Sequence, residues 1–422
     1  MDGLEKIGSG YIFRQSVAGH QIEARIKGVK ETSTSVKAMI ALSVDGRGIH
    51  RSIPSLTSVS GLDGYWKKLA RRMPTADWGI DWEAVVELMA GQIIDAHSTG
   101  EDEVVLGEVD LSAEAKWAVA PMLLAEQPNI IYGPGGSGKS MIALWVAVLM
   151  DTGHVDTTHG LSVVPGRVLY LDWETDEQEI AGRAESLQQG LGITGDRSNI
   201  VYRRCTLPLA NDADHVKDLV EKHKIDFVIA DSLGLACGGA LDEAEGVLSY
   251  FSALRWIGGT SLTLSHTNKE GKLFGSVYTT NSGRSIWEIQ KSSTEGDNHM
   301  DVGLFHRKVN NTAHQQPLAF RLSFEDEMVT FESKDPMDTE VVSDTLSASE
   351  LVYQIVSREG PVPRSEIADR VAAYMDRPAE KVAGSVATAI SRHLKAARIV
   401  ELDGELAIQA LFKELEDGEW TL

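Results

Sequence analysis

The chain has 422 residues, with 62 acidic against 40 basic side chains and a formal net charge of −22. That length predicts two or three domains, and 42% apolar with 24% charged residues excludes wholesale disorder or a fibrous repeat. The negative field excludes a nucleic-acid coat that works through overall charge, so any such contact must come from local basic groups.

From Tyr11 to Ile53 the pattern is strand-like: Gln21 to Ile26 alternates, Val36 to Val44 is an apolar-rich run, and Asp45-Gly46 is a hairpin signal. Residues 1–111 are therefore read as a small β-rich accessory domain. Within it, Leu62, Tyr65, Trp66 and Leu69 recur at helical spacing. Lys67, Lys68, Arg71 and Arg72 fall on the opposite face, as a solvated surface or a nucleic-acid contact.

Residues 112–333 alternate short apolar strands (Asn129 to Tyr132, Arg167 to Leu171, Phe227 to Ala230, Ser261 to Ser265) with helical segments. This predicts an α/β domain with a mostly parallel sheet. Gly133-Pro134-Gly135-Gly136-Ser137-Gly138-Lys139-Ser140 satisfies GxxxxGK[ST] between the first of these strands and a helical run that opens at Met141. The glycines let the backbone wrap phosphate oxygens, and the N–H groups through Met141 point at the negative charge. Lys139 is placed to reach the β and γ phosphates, and the Ser140 hydroxyl to ligate Mg²⁺. ATP and Mg²⁺ are the expected cofactors.

Hydrolysis needs a second metal-orienting carboxylate and a group that positions water. Asp231 ends an apolar strand at the carboxyl edge, where ligands bind in open α/β sheets, and is the candidate second metal residue. Val168 to Glu174 ends another strand on two carboxylates, Asp172 and Glu174; Glu174 is preferred as general base, within a run of acids that also suits a helix N-terminus. His266 ends a further strand and is a candidate sensor that hydrogen-bonds the γ-phosphate.

Cys205 and Cys237 lie far apart without metal-ligand spacing, which predicts neither a disulfide framework nor a zinc site. The first residues lack a basic segment followed by an apolar run, and the longest apolar stretch, Met141 to Met150, is about half of a membrane span. A cytoplasmic protein with no membrane partner is expected.

Residues 334–346 are acidic, poor in apolar side chains and read as a linker. In residues 347–422 the capping-box pattern Ser347 to Glu350 opens a helix carrying Leu351, Val352, Ile355 and Val356, which Gly360-Pro361 ends. A second helix follows Arg364-Ser365, and a third begins near Pro378 with Val382, Val386, Ile390 and Leu394 at i,i+4 spacing. A hairpin turning at Asp403-Gly404, with strands Ile399 to Leu402 and Glu405 to Gln409, completes a pattern that fits a winged helix-turn-helix. Basic residues slightly outnumber acids from Glu350 to Arg398, a weak footprint for DNA. If the third helix enters a groove, Lys381 approaches bases while Arg392 and Lys395 meet phosphates; a protein-binding role fits equally well.

Together these residues resemble the RecA-like ATPases and, within them, the RepA-type hexameric helicases of plasmids and phages. The resemblance covers roughly residues 112–333 and rests on the P-loop, the Leu171-Asp172-Trp173-Glu174 strand end, Asp231, the His266 segment, and the stretch from Gly275 to Arg284. It implies a homo-oligomer, hexamer favoured, with single-stranded DNA in a central pore. It gives Glu174 the role of catalytic base, His266 that of γ-phosphate sensor, and Arg284 that of a finger into the neighbouring subunit's site. Arg307 or Lys308, in the basic patch from Phe305 to Asn310, is the alternative trans-acting cation. The loop from Asn268 to Gly283, with Lys269, Lys272, Phe274 and Tyr278, would face the pore and combine charge with stacking surface. The compact members of that family need neither the N-terminal region nor a winged helix. The expected function is a DNA-dependent ATP-driven motor of replicative-helicase type. A recombinase or loader without unwinding activity, and a regulatory DNA-binding switch, are the alternatives.

Overall fold

The computed structural model describes residues 2–7, 10–99, 104–108, 117–154, 160–193, 198–239, 241, 243–293, 296–310, 312–339, 346–375 and 377–408. The chain divides into two compact units: Met1–Lys116 with Thr206–Asp226 and Ser249–Gly259, and Trp117–Cys205 with Phe227–Leu248 and Thr260–Leu422.

The first unit opens with a five-stranded antiparallel sheet in chain order, β1 (Gly3–Ile7), β2 (Gly10–Val17), β3 (His20–Thr32), β4 (Ser35–Val44) and β5 (Arg47–Ser52). In β4 the alternating Val36, Ala38, Ile40, Leu42 and Val44 are buried, as a strand with one core face requires. Asp45 and Gly46 both take positive φ (50° and 76°), the geometry of a tight two-residue hairpin turn. Helices α1 (Val59–Arg72) and α2 (Trp82–Thr99) pack on the sheet, α2 burying Trp82, Val85, Val86, Met89, Ala90 and Ile93. The sequence reading placed no helix at α2, whereas the β-rich character it gave this region is met by the five-stranded sheet. Residues 206–226 and 249–259, which that reading gave to the central domain, are tied to this unit by an ion pair between Lys27 and Asp218. Among them, the Trp256 indole donates to Asp214 Oδ1 at 3.1 Å and lies under the Lys217 ammonium.

The second unit starts with β6 (Trp117–Ala120), β7 (Leu123–Leu124) and β8 (Pro128–Gly133), followed by α3 (Lys139–Thr152), β9 (Ser162–Val163), β10 (Val168–Asp172), α4 (Glu177–Gly190), β11 (Val201–Arg204), β12 (Phe227–Asp231), β13 (Thr260–His266), β14 (Ser285–Ser292), β15 (His299–Val309), β16 (Leu318–Glu325) and β17 (Met328–Lys334). Nine of these strands form one sheet in the order β11-β10-β12-β13-β8-β14-β15-β16-β17. Neighbours are parallel from β11 to β14 and antiparallel from β14 to β17. β10 and β12 are buried at every position, which is why they read as continuous apolar runs rather than alternating ones. Helix α3 is apolar all round and buried from Ile142 to Met150. The antiparallel extension β15–β17 was not foreseen.

Parallel register sets the strand ends beside each other. Asp172 stands opposite Asp231, and His266 opposite Gly133.

The C-terminal part carries α5 (Ala348–Glu359), β18 (Val362–Pro363), α6 (Ile367–Tyr374), α7 (Ala379–Lys395), β19 (Ile399–Leu402) and β20 (Glu405–Ile408), the strands forming a sheet ordered β18-β20-β19. Ser347 and Glu350 make the reciprocal capping box, and Val382, Val386 and Ile390 are buried. Met337, Thr339 and Leu346, within the stretch read as a linker, are themselves buried. Met337 and Leu346 join the apolar cluster of α5–α7 with Phe305 and Ala319. The rest of that stretch (340–345), the 111/112 boundary and Gln409 lie outside the described residues.

Candidate functional site

A cleft of about 640 Å³ opens at the carboxyl edge of the parallel strands. It is lined by Gly136 to Met141, Glu174, Asp231 and His266, so the residues singled out at four strand ends do meet. Gly136 (φ 66°) and Gly138 (φ 88°) give the loop its left-handed turns. Gly133 is held for a different reason: a Cβ there would sit 2.4 Å from the Ile289 carbonyl oxygen of β14. Gly133, Pro134 and Gly135 form the stem of the loop and do not line the cleft.

Lys139 is buried and donates from Nζ to the carbonyls of Gly133 (3.0 Å) and Pro134 (2.8 Å). Burial lowers its pKa, opposed by the charges of Asp231 and Glu174. The Ser137 hydroxyl is buried in the same loop with no hydrogen-bond partner among the described residues, so the loop keeps an unused donor.

Asp231 is buried and accepts from the Tyr170 hydroxyl at 2.7 Å and from the Ser140 hydroxyl. Burial raises its pKa, the Ser140 and Tyr170 bonds oppose that, and the nearby Glu174 and Asp172 charges add to the rise. A hydroxyl and a carboxylate in contact beside two further acids suit a hard divalent cation. No group of three or more His, Cys, Asp or Glu placed to hold a metal occurs among the described residues. Ser140 and Asp231 are the residues that would hold a magnesium ion, which would supply positive charge against a bound phosphate. A triphosphate fits the rest of the cleft: the loop offers an ammonium held by substitutable carbonyls and the unused Ser137 hydroxyl.

The two acids at the end of β10 divide their work. Asp172 is buried, and its carboxylate accepts from Glu174 N (2.8 Å), Thr175 N (3.1 Å), the Thr175 hydroxyl and the Tyr202 hydroxyl (3.1 Å). Glu174 is exposed, accepts from the Ser232 hydroxyl, and lies 3.9 Å from His266 Nε2. Asp172 thus holds a turn, while Glu174 faces the cleft.

Residues 103–272 match the family model described as an AAA domain. No curated protein matches the chain. The family match and the phosphate loop at Gly133 to Ser140 support a P-loop ATPase domain in this region. Among matching solved structures is a KaiC-like protein from the hyperthermophilic archaeon Pyrococcus horikoshii OT3, 12% identical, with a TM-score of 0.36 over 51% of this chain and 93% of that one. A likeness that loose decides neither fold nor function.

The cleft has a second half that motif reading missed. Gln178, Glu179, Gly182, Arg183 and Ser186 of α4 line it, facing Met300, Phe324 and Val329 of β15–β17. Arg183 pairs with Glu179 one turn earlier. The i,i+4 spacing of Glu179 and Arg183 was visible in the sequence, but Phe324 and Val329 reach the cleft only through an unforeseen hairpin.

Arg284 is not in this cleft. Its backbone N–H donates to the Pro128 carbonyl (2.8 Å) at the start of β8. The phosphate loop leaves the other end of that strand, roughly 16 Å away along it. The exposed Arg284 guanidinium pairs with no carboxylate among the described residues. The two alternatives are engaged: Arg307 pairs with Glu288 (2.7 Å), and Lys308 donates to the carbonyls of Thr280, Asn281 and Gly283. His306, within the same stretch, is buried, and burial holds its pKa at about 4. Within 305–310, Arg307 and Lys308 thus both have partners, and His306, between Phe305 and Arg307 in sequence, is buried.

Lys269, Lys272 and Phe274 lie exposed on the loop that follows β13, where Lys272 pairs with Glu270. Tyr278 and Val277 add exposed apolar surface beside them. On α7, Arg392 and Lys395 line one open groove with Ala387, Thr388 and Ser391, while Lys381, also exposed, stands near the helix start outside that groove. No helix among the described residues is long and apolar enough to cross a membrane.

Proposed function

We propose that this chain is a DNA-dependent, ATP-hydrolysing motor that works as a homo-oligomer, of the replicative-helicase type. The observation that carries the reading is the convergence of Lys139, Ser140, Asp231, Glu174 and His266 on one cleft. In the proposed cycle Lys139 leaves the loop carbonyls for the β and γ phosphates, and Ser140 and Asp231 hold Mg²⁺. Glu174 takes the proton of the attacking water, and the neighbouring His266 bonds the γ-phosphate and registers its departure. The apolar surface of Met300, Phe324 and Val329 receives the purine base.

Arg284, remote from its own cleft and exposed, acts on the triphosphate bound by an adjacent subunit. Lys269, Lys272 and Phe274 contact single-stranded DNA through charge and stacking. The C-terminal helices and sheet act as a winged helix, with Lys381, Arg392 and Lys395 toward duplex DNA.

The test is ATP turnover by the full chain with and without single-stranded DNA, followed by strand displacement on a forked duplex. Several-fold stimulation and displacement are expected. Stimulation without displacement moves the assignment to a recombinase or loader, and turnover indifferent to DNA moves it to a regulatory switch.

A further inference from the structure

Tyr170 takes no part in the chemistry described so far, yet its hydroxyl donates to Oδ2 of Asp231 at 2.7 Å with both residues buried. Its position follows from register. Tyr170 stands beside Ile229 and two residues before Asp172, which faces Asp231. Side chains two apart on a strand share a face, so Tyr170 meets the carboxylate of the next strand along a diagonal. The same offset recurs one strand over, where Tyr202 stands beside Tyr170 and donates to Asp172 at 3.1 Å. Each tyrosine supports the acid that ends the adjoining strand.

A carboxylate anchored through one oxygen can no longer turn freely about its terminal torsion. At Asp231 the anchor is Tyr170, and the same carboxylate meets the Ser140 hydroxyl. Whatever fixes the plane of Asp231 therefore fixes how that acid and Ser140 present their oxygens together.

We infer that Tyr170 is a positioning residue for magnesium: by holding Oδ2 of Asp231 it sets the Ser140 and Asp231 oxygens for the ion, without itself touching ion or nucleotide. This rests on the proposed reading of Ser140 and Asp231 as the metal pair. Partners that orient a metal ligand are typically worth about 10–100-fold in metal affinity.

The experiment titrates Mg²⁺ into the full chain with a fluorescent, non-hydrolysable ATP analogue and reads anisotropy, with a parallel binding curve in EDTA. Tyr170→Phe keeps the buried ring and removes only the hydroxyl. It is expected to raise the half-saturating Mg²⁺ concentration by about 10-fold or more, leaving the EDTA curve where it was. Tyr202→Phe, which removes the neighbouring bond to Asp172, should leave the Mg²⁺ titration on the wild-type curve. Thermal unfolding of the apo proteins supplies the contrast with a packing role. A Tyr170→Phe protein that melts earlier but titrates Mg²⁺ like wild type overturns the inference while leaving the metal pair standing. A wild-type chain whose analogue binding ignores Mg²⁺ overturns the metal pair and the inference with it.

Discussion

The Asp172 carboxylate accepts the backbone N–H of Glu174 at 2.8 Å, so one acid at the end of β10 fastens the turn that presents the other. A sequence pattern cannot separate two carboxylates a residue apart, because both leave the strand at the same edge. Their hydrogen bonds separate them: Asp172 has its oxygens occupied by Glu174, Thr175 and Tyr202, and Glu174 stands exposed beside His266.

Glu174→Gln is therefore expected to slow ATP turnover by about 10²-fold or more while nucleotide binding persists, the cost of removing a positioned base. Asp172→Ala should instead show itself first in stability. It strands two backbone N–H groups and two hydroxyls, each roughly a 1–3 kcal/mol loss where no water replaces the carboxylate. Urea unfolding and single-turnover hydrolysis on the two variants check this division. An Asp172→Ala protein of wild-type stability that binds ATP and does not hydrolyse it would transfer the base role to Asp172.

What the sequence disclosed about this region follows from how the chain is buried. β10 and β12 are short and apolar up to a terminal aspartate, so their strand character and their functional ends were visible together. α2 was hidden because Trp82 to Ile93 presents apolar residues without a strongly polar opposite face. Phe324 and Val329 could not be placed in the cleft without knowing that β14 to β17 continue the sheet as antiparallel strands. Lys308 looked like part of a basic patch, but its partners are backbone carbonyls at the end of the short helix Val277–Ser282, which no pattern of charges announces.

His306 offers a test by pH. Its Nδ1 accepts the Gln315 N–H at 2.9 Å and its ring stacks on Trp287 at 4.3 Å, a setting for neutral imidazole. Burial holds its pKa at about 4, whereas an unfolded histidine titrates at about 6.5. Between those values the unfolded chain takes up a proton that the folded chain refuses, so stability rises with pH across the window. The contribution is full above about pH 6.5 and is lost as pH falls toward 4, the loss reaching roughly 3 kcal/mol at the acid end. His306→Gln should unfold more easily at pH 7.5 yet lose less stability between pH 6.5 and 4.5 than wild type. Urea midpoints measured across that range check it, and parallel curves for the two proteins would count against a neutral, buried His306.

Arg284 leads to the prediction that bears on assembly. The residue sits beside the amino end of the strand whose carboxyl end carries the phosphate loop, so within one chain it cannot reach the triphosphate bound there. If it serves as a finger, it serves a neighbour. Arg284→Ala should then lower turnover by about 10³- to 10⁵-fold with ATP affinity unchanged, and Glu174→Gln is inactive by its own mechanism. The decisive measurement mixes the two inactive proteins. A mixed oligomer contains interfaces that pair an intact Glu174 from the Arg284→Ala chain with an intact Arg284 from the Glu174→Gln chain, so turnover should reappear on mixing. Activity that stays at the level of the separate variants, with mixed oligomers demonstrated by differential tagging, would place the action of Arg284 within its own chain or remove it from catalysis.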